Sequence, residues 1–322
     1  MKHPLNRRLA ALSMGLMAVG GFARAQDKPA VRILVGFAPG GSADILARLL
    51  AEKLRPALGQ NVIVENKPGA AGRLALGDLK RAAPDGLTLC LVGGAALVAL
   101  PWVFKNVGYD PVKDFAPVAG VTTFDFALTA GPGAPPGDLK ALLAWMKVNP
   151  GKASYGHSGA GTLPHFTGYL IAQAAGVPMT HVPYKGAAPA VQDLLAGQIP
   201  LVIDTAAETL EHHRAGRLRI VAVTGEKRSR LLPEVPTLKE AGVDVASDGF
   251  LALYGPPGMT PELVTRLSSA VAEVMKLADT QERIAALGQQ ASYSTAVDLA
   301  RMQAAHYRRW EGPIRASGFT AD

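Results

Sequence analysis

The sequence predicts an α/β protein of two facing lobes, each a mostly parallel sheet flanked by helices. Three observations predict it. A strand, a glycine-rich loop and a helix follow one another at Val31, Val62, Ala153 and Thr180, and strands that alternate with helices build parallel sheets covered on both faces. A length of 322 residues leaves room for one large or two modest domains. The 48 % hydrophobic and 18 % charged content is that of a packed globular chain. Ligands of open α/β sheets bind outside the C-terminal ends of the strands, so two such lobes imply a cleft between them.

The N-terminus reads differently. Lys2, Arg7 and Arg8 lead into an apolar stretch from Leu9 to Phe22, and Ala23-Arg24-Ala25 supplies a small-residue cleavage site. The apolar part is short for a membrane span, and no cysteine stands near the cleavage site to take a lipid. The expectation is a signal peptide over residues 1–25, cleaved after Ala25, and an exported, soluble chain beyond it. Lys2, Arg7, Arg8 and Arg24 fall in this segment without any acid, so they account for much of the formal net charge of +7. With no Lys/Arg-rich run and 6 % aromatic residues, nucleic acid is not an expected partner. Cys90, the single cysteine, lies in an apolar run and is expected in the core.

The mature chain opens on Val31-Arg32-Ile33-Leu34-Val35, a β-branched apolar run that stops before Pro39-Gly40-Gly41. A helical pattern follows, with Ile45, Leu46, Leu49, Leu50 and Leu54 on one face. The first turn of a helix has unpaired backbone N–H groups, and glycines let a ligand approach them closely. The turn is therefore the predicted grip for one end of a small carboxylate, with two glycines followed by the Ser42 hydroxyl as its strongest feature. Asn61–Glu65 reads as a second strand, Asn66–Arg73 as a second glycine loop, Leu74–Ala83 as a helix and Leu87–Val92 as a third strand. Val121–Thr129 is a longer strand. Asp138 caps a helix that runs to Lys147, and Ala153–Gly156 is a short strand. The loop His157–Thr162 meets a helix beginning near Pro164, a residue suited to a first turn. Pro178–Val182, Leu201–Asp204, Arg219–Thr224 and Gly249–Gly255 read as strands, with Ala190–Ala196 a helix among them. Thr260-Pro261-Glu262 opens a helix to Lys276, and two more helices, near Thr280–Leu287 and Thr295–Ser317, close the chain.

Six motifs in order resemble one family. They are Phe37-Ala38-Pro39-Gly40-Gly41-Ser42-Ala43-Asp44, the run Val64 to Gly72, Ala83-Pro84-Asp85-Gly86, the run Tyr109 to Val118, Val182-Pro183-Tyr184-Lys185-Gly186, and Leu232 to Thr237. Together they are similar to the Bug family, periplasmic solute-binding receptors of tripartite tricarboxylate transporters, over essentially the whole mature chain. The resemblance implies a two-lobed periplasmic-binding-protein fold that closes like a Venus flytrap, a periplasmic location, no catalysis and no cofactor. It also implies a monomer with two partners, a small carboxylate and the permease subunits in the membrane. Lobe 1 is placed at residues 26–122 plus 252–322 and lobe 2 at 123–251, with crossing strands at Val121–Thr129 and Asp248–Tyr254. Carried over by position, the first-lobe ligand residues are Phe37, Ala38, Pro39, Gly40, Gly41, Ser42 and Asp44. Those of the second lobe are Ser158, Gly159, Gly161, Thr162, Tyr184, Lys185, Gly186 and Asp204. Two departures stand out: an apolar wall, Gly93 to Val98, where Ser/Thr and a polar residue are usual, and Arg73 where the family has asparagine.

Several residues admit a second reading. Asp44 is equally a first-turn acid favoured by the helix dipole and a group that binds an amino ligand or orients water. Arg73 is solvent-facing by base rate, yet its glycine loop suits a carboxylate clamp. Ser158, His157, His165 and Asp204 have the residue types of a hydrolase triad, but no G-x-S-x-G elbow surrounds Ser158. An exported hydrolase and a ligand-loaded partner of a sensor kinase remain as alternatives. Gly156, Gly159 and Gly161 lack the downstream acid of a dinucleotide site. Of the candidate metal ligands Glu208, Glu211, His212 and His213, only Glu208 and His212 share a helix face, so no metal site is expected.

Overall fold

The computed structural model describes residues 28–321; the expected signal peptide and its cleavage point lie outside them. Strand β1 (Val31–Val35) runs between β2 (Val62–Asn66) and β3 (Thr88–Gly93), parallel to both. Its side chains alternate as a strand covered on both faces demands. Val31, Ile33 and Val35 pack with Leu46, Leu49, Leu50 and Leu54 of helix α1 (Ser42–Leu58). Leu34 and Cys90 point the other way, into a core with Leu76 and Leu79 of helix α2 (Arg73–Lys80). Each fully buried leucine contributes about 2 kcal/mol of apolar transfer, which fixes β1, and hence the loop after it, to its neighbours.

The second half repeats the plan. Strand β5 (Ser154–His157) pairs in parallel with β6 (Thr180–Pro183) and β7 (Leu201–Thr205). The halves are joined by β4 (Ala116–Ala130). Its first part, through Asp125, pairs antiparallel with β9 (Asp248–Gly255), and from Phe126 it pairs with β7 and with β8 (Arg219–Val223). The long strand β4 thus joins the sheets of the two lobes into one ten-stranded curled sheet among the described residues, in the order β2-β1-β3-β9-β4-β7-β5-β6, with β8 and β10 (Gln290–Ser294) on β4. Parallel pairing is confined to the outer strands, and the middle is antiparallel.

Three elements were not expected. Strand β10 (Gln290–Ser294) pairs with β4, and two short helices, α3 (Ala95–Val98) and α4 (Leu100–Val103), follow β3. The last helix, α11 (Ala296–Ser317), is capped by Thr295, whose side chain accepts from Asp298 N–H. Its buried Trp310 packs toward Phe166 of helix α6 (Leu163–Ala175), and Tyr169 donates to Ala316 O at 2.9 Å. Among the described residues no helix is long and apolar enough to cross a membrane.

Candidate functional site

The loop after β1 is held open from below. Gly40 has a φ of +88° with open space around it, a conformation that glycine adopts without a steric penalty. Its N–H donates to Asp44 Oδ2 at 2.9 Å, and Asp44 also accepts from Arg48 at 3.0 Å and from Asn66 Nδ2 at 2.9 Å. Asn66 donates further to Phe37 O, which ties the loop to the end of β2. Hydrogen bonds from Arg48, with help from Gly40 and Asn66, hold the buried Asp44 carboxyl down to about 2. These bonds all go to the protein's own groups. Asn66 is the member that sequence reasoning passed over, although it stands inside the second motif; its signal was an amide at a strand end opposite the glycine turn.

Above this base, residues Phe37 to Ser42 are exposed. Among the described residues, the N–H groups of Gly41, Ser42 and Ala43 make no hydrogen bond, and no side chain caps α1. The seventeen-residue helix directs its positive end at that space. Gly36 brings a second loop alongside, since a Cβ there would lie 2.6 Å from Gly72 Cα. The Phe37 ring leans over Gly93, 3.9 Å from where a Cβ would stand.

The expected apolar wall after β3 has a structural cause. A side chain at Gly94 would fall 2.4 Å from the Phe250 ring, and Leu97 and Val98 are wholly buried. Only Gly93 and Ala95 of this stretch are partly exposed, so most of it belongs to the core. Arg73 is half-buried with its guanidinium 3.9 Å over the Phe104 ring. It lines a cavity of about 560 Å³ with Asn66, Lys67, Arg81 and Tyr109.

The loop after β5 is built on different terms. Ser158 N–H donates to Asp204 Oδ2 at 2.8 Å, Gly161 N–H to His165 Nδ1 at 3.2 Å, and Thr162 Oγ1 to Gly159 O at 2.6 Å. Gly159 N–H approaches His157 Nδ1, and Thr162 N–H returns to Gly159 O. Asp204 also accepts from Thr205 N–H, and burial pushes its carboxyl up to about 6. The Tyr184-Lys185-Gly186 loop is stitched to the same place: Tyr184 N–H donates to His157 O and Gly186 N–H to Ser158 O. Tyr184 spends its hydroxyl on Asp193 at 2.8 Å, and Lys185 is exposed. The first-lobe and second-lobe residues thus form two clusters, each at the C-terminal end of a parallel strand, with no hydrogen bond between them among the described residues.

Triad geometry is missing from the second cluster. His157 bonds Gly159 and His181, His165 bonds Gly161, and neither reaches Ser158 or Asp204. Burial pushes the His157 imidazole down to about 4 and that of His165 to about 3. In the His212 and His213 region, His213 faces Glu234 and accepts from Ile220 N–H, while Glu211 pairs with Arg214.

Residues 46–319 match the family described as the tripartite tricarboxylate transporter family receptor, TctC. BugT of Bordetella pertussis (strain Tohama I) is 33 % identical over 291 residues, 89 % of each chain. Among solved structures, MatC of Rhodopseudomonas palustris with bound malate is 30 % identical, with a TM-score of 0.76 over 88 % of this chain and 98 % of that one. A second R. palustris protein, solved with adipate, is 30 % identical with a TM-score of 0.81 over 90 % of this chain and 97 % of that one.

Proposed function

Since the chain belongs to the tripartite tricarboxylate transporter receptor family, we propose that it captures a small organic dicarboxylate between its lobes and presents it to a membrane permease. The observation that carries this reading is the row of unspent N–H donors at Gly41, Ser42 and Ala43, aimed outward from the start of α1. A carboxylate there gains charge-assisted hydrogen bonds of about 1.5–3 kcal/mol each and the favourable end of the helix dipole. Asp44 does not repel it, because Arg48 lies 3.0 Å from its carboxylate and balances the charge. The far carboxylate meets the second cluster, where the exposed Lys185 ammonium and the Ser158 hydroxyl, which lies against Asp204, are the groups of matching chemistry. MatC and the second R. palustris protein, both 30 % identical to this chain, hold dicarboxylates, malate and adipate, which supports the same ligand class.

Closure follows from two-ended binding. A ligand that touches both lobes binds the closed form more tightly and shifts the population toward it by that difference. Calorimetric titration of the untagged mature chain with mono-, di- and tricarboxylates is the test. One-site binding strongest for dicarboxylates is expected; absence of heat across the whole panel would contradict the reading.

A further inference from the structure

His157 at the end of β5, His165 in the first turns of α6 and His181 on β6 meet beneath the second glycine loop. Each offers a ring nitrogen, and these three atoms lie within 4.8 Å of one another. We infer that the three imidazoles form a binding site for one divalent transition-metal ion of the zinc class, with a fourth position open. Zn–N bonds of about 2.05 Å in a tetrahedral site put two ligand nitrogens about 3.3 Å apart. His157 Nε2 and His181 Nδ1 are already 3.2 Å apart.

His157 is also oriented as metal-binding histidines are. Its Nδ1 stands 2.9 Å from Gly159 O, closer than the 3.3 Å to Gly159 N–H, and a proton on Nδ1 donated to that carbonyl leaves the Nε2 lone pair for the ion. The His165 ring centroid lies 4.2 Å from that of His181 and 5.0 Å from that of His157. Bringing its nitrogen onto the ion takes a shift of at most about 1.5 Å. Phe319 closes one side, edge-on to His165 at 5.0 Å, while His181 sits at the rim and leaves an approach from solvent. Three imidazoles without a carboxylate select zinc, nickel or copper over magnesium and calcium.

Ligation reaches the loop above. Gly161 N–H now donates to His165 Nδ1. If Nδ1 takes the ion its lone pair is spent, and if Nε2 takes it Nδ1 carries the proton. In either case the Gly161 N–H is released within the loop that begins at Ser158. The resulting change in dicarboxylate affinity rests on the receptor reading; the metal site itself does not.

The experiment titrates the chelator-stripped, untagged mature chain with zinc chloride alone, by calorimetry against a competing dye. A stoichiometry of one is expected, with His181→Gln weakening it at least tenfold and His213→Gln leaving it unchanged. Side-chain NMR of the unmutated protein covers the case in which the variant fails to fold. Zinc should then move the ring signals of His157, His165 and His181 together and leave those of His212, His213 and His306 in place. Equal zinc affinity in His181→Gln, or shifts confined to the other histidines, would overturn the site. If zinc binds as described while no carboxylate binds, the metal site stands and the receptor reading falls.

Discussion

Two glycine loops follow two parallel strands in this protein, and they differ in where their backbone donors go. The loop after β1 hands Gly40 N–H to Asp44 and leaves those of Gly41, Ser42 and Ala43 unspent. The loop after β5 gives Ser158 N–H to Asp204, Gly161 N–H to His165 and Thr162 N–H back to Gly159. A strand, a glycine turn and a helix start are therefore insufficient to make an anion grip; the donors must also be left without internal acceptors. In the first loop the acid sits one turn along the helix and pins only the corner. In the second, Asp204 arrives from a neighbouring strand and takes the first donor of the loop, Ser158 N–H. On the proposed reading the first loop is the grip, and the second is a positioned shelf that offers side chains.

Substitutions should separate the two loops, with the largest effect at their supports. Gly36→Ala drives a Cβ to 2.6 Å from backbone at Gly72, so a loss of about 3 kcal/mol in chemical denaturation is expected, the upper end of ordinary overpacking. Gly151→Ala, with nothing within 4 Å, should stay close to wild type in the same assay. Next comes Asp44→Ala, which strands Gly40 N–H, the Asn66 amide and Arg48 together. A loss of about 2–3 kcal/mol is expected, with dicarboxylate affinity at least tenfold lower by calorimetry. Because the folded Asp44 titrates near 2, below its ordinary value, its stabilisation is full above pH ~4 and fades as pH falls toward 2. The variant should lack that acid limb in thermal melts.

Asp204 behaves with the opposite sign. Its folded value near 6 lies above that of an unfolded carboxyl. The native state therefore binds more protons between about pH 4 and 6, and stability falls as pH rises through that window. Asp204→Asn keeps an oxygen for Ser158 N–H and should flatten this limb by up to about 1.4 kcal/mol per pH unit. Some slope remains, because burial, with Asp248 opposite, also pushes Asp125 up to about 6. The smallest effect is expected from Ser158→Ala: a melting temperature only slightly lower, since Asp204 keeps the N–H donors of Ser158 and Thr205, and dicarboxylate affinity weaker by about 1 kcal/mol, one hydrogen bond's worth.

Much of this was legible in the sequence because the strong signals were local. The β-branched run, Pro39-Gly40-Gly41 and the 3.6-residue apolar period locate β1, its loop and α1. Asp138 and Thr260 act as helix caps, accepting from Ala141 and Leu263 N–H, and Cys90 is buried, its thiol pushed up to about 12. What escaped depends on partners far along the chain. Strand β10, Gln-Ala-Ser-Tyr-Ser, is short, and its two apolar residues, Ala291 and Tyr293, are the exposed ones, so its place is set by pairing with β4 rather than by an apolar face. Helices α3 and α4 lie in an apolar run too short to show a period. The direction of Asp204 toward Ser158, the link from Asn66 to Asp44, and the meeting of His181 with His157 are all set by strand register. His181 pairs with Tyr155 across β5 and β6, two residues from His157 along the chain, a juxtaposition that requires knowing which strands are neighbours.

The central claim is that the N–H groups at the start of α1 hold the ligand's carboxylate. Backbone amide NMR during a titration with adipate or malate tests it most directly. The signals of Gly41, Ser42 and Ala43 should move downfield to saturation along the calorimetric isotherm, while Gly161 N–H, already bonded to His165, shifts less. Heat of binding with those three amides unmoved would contradict the account and place the grip elsewhere.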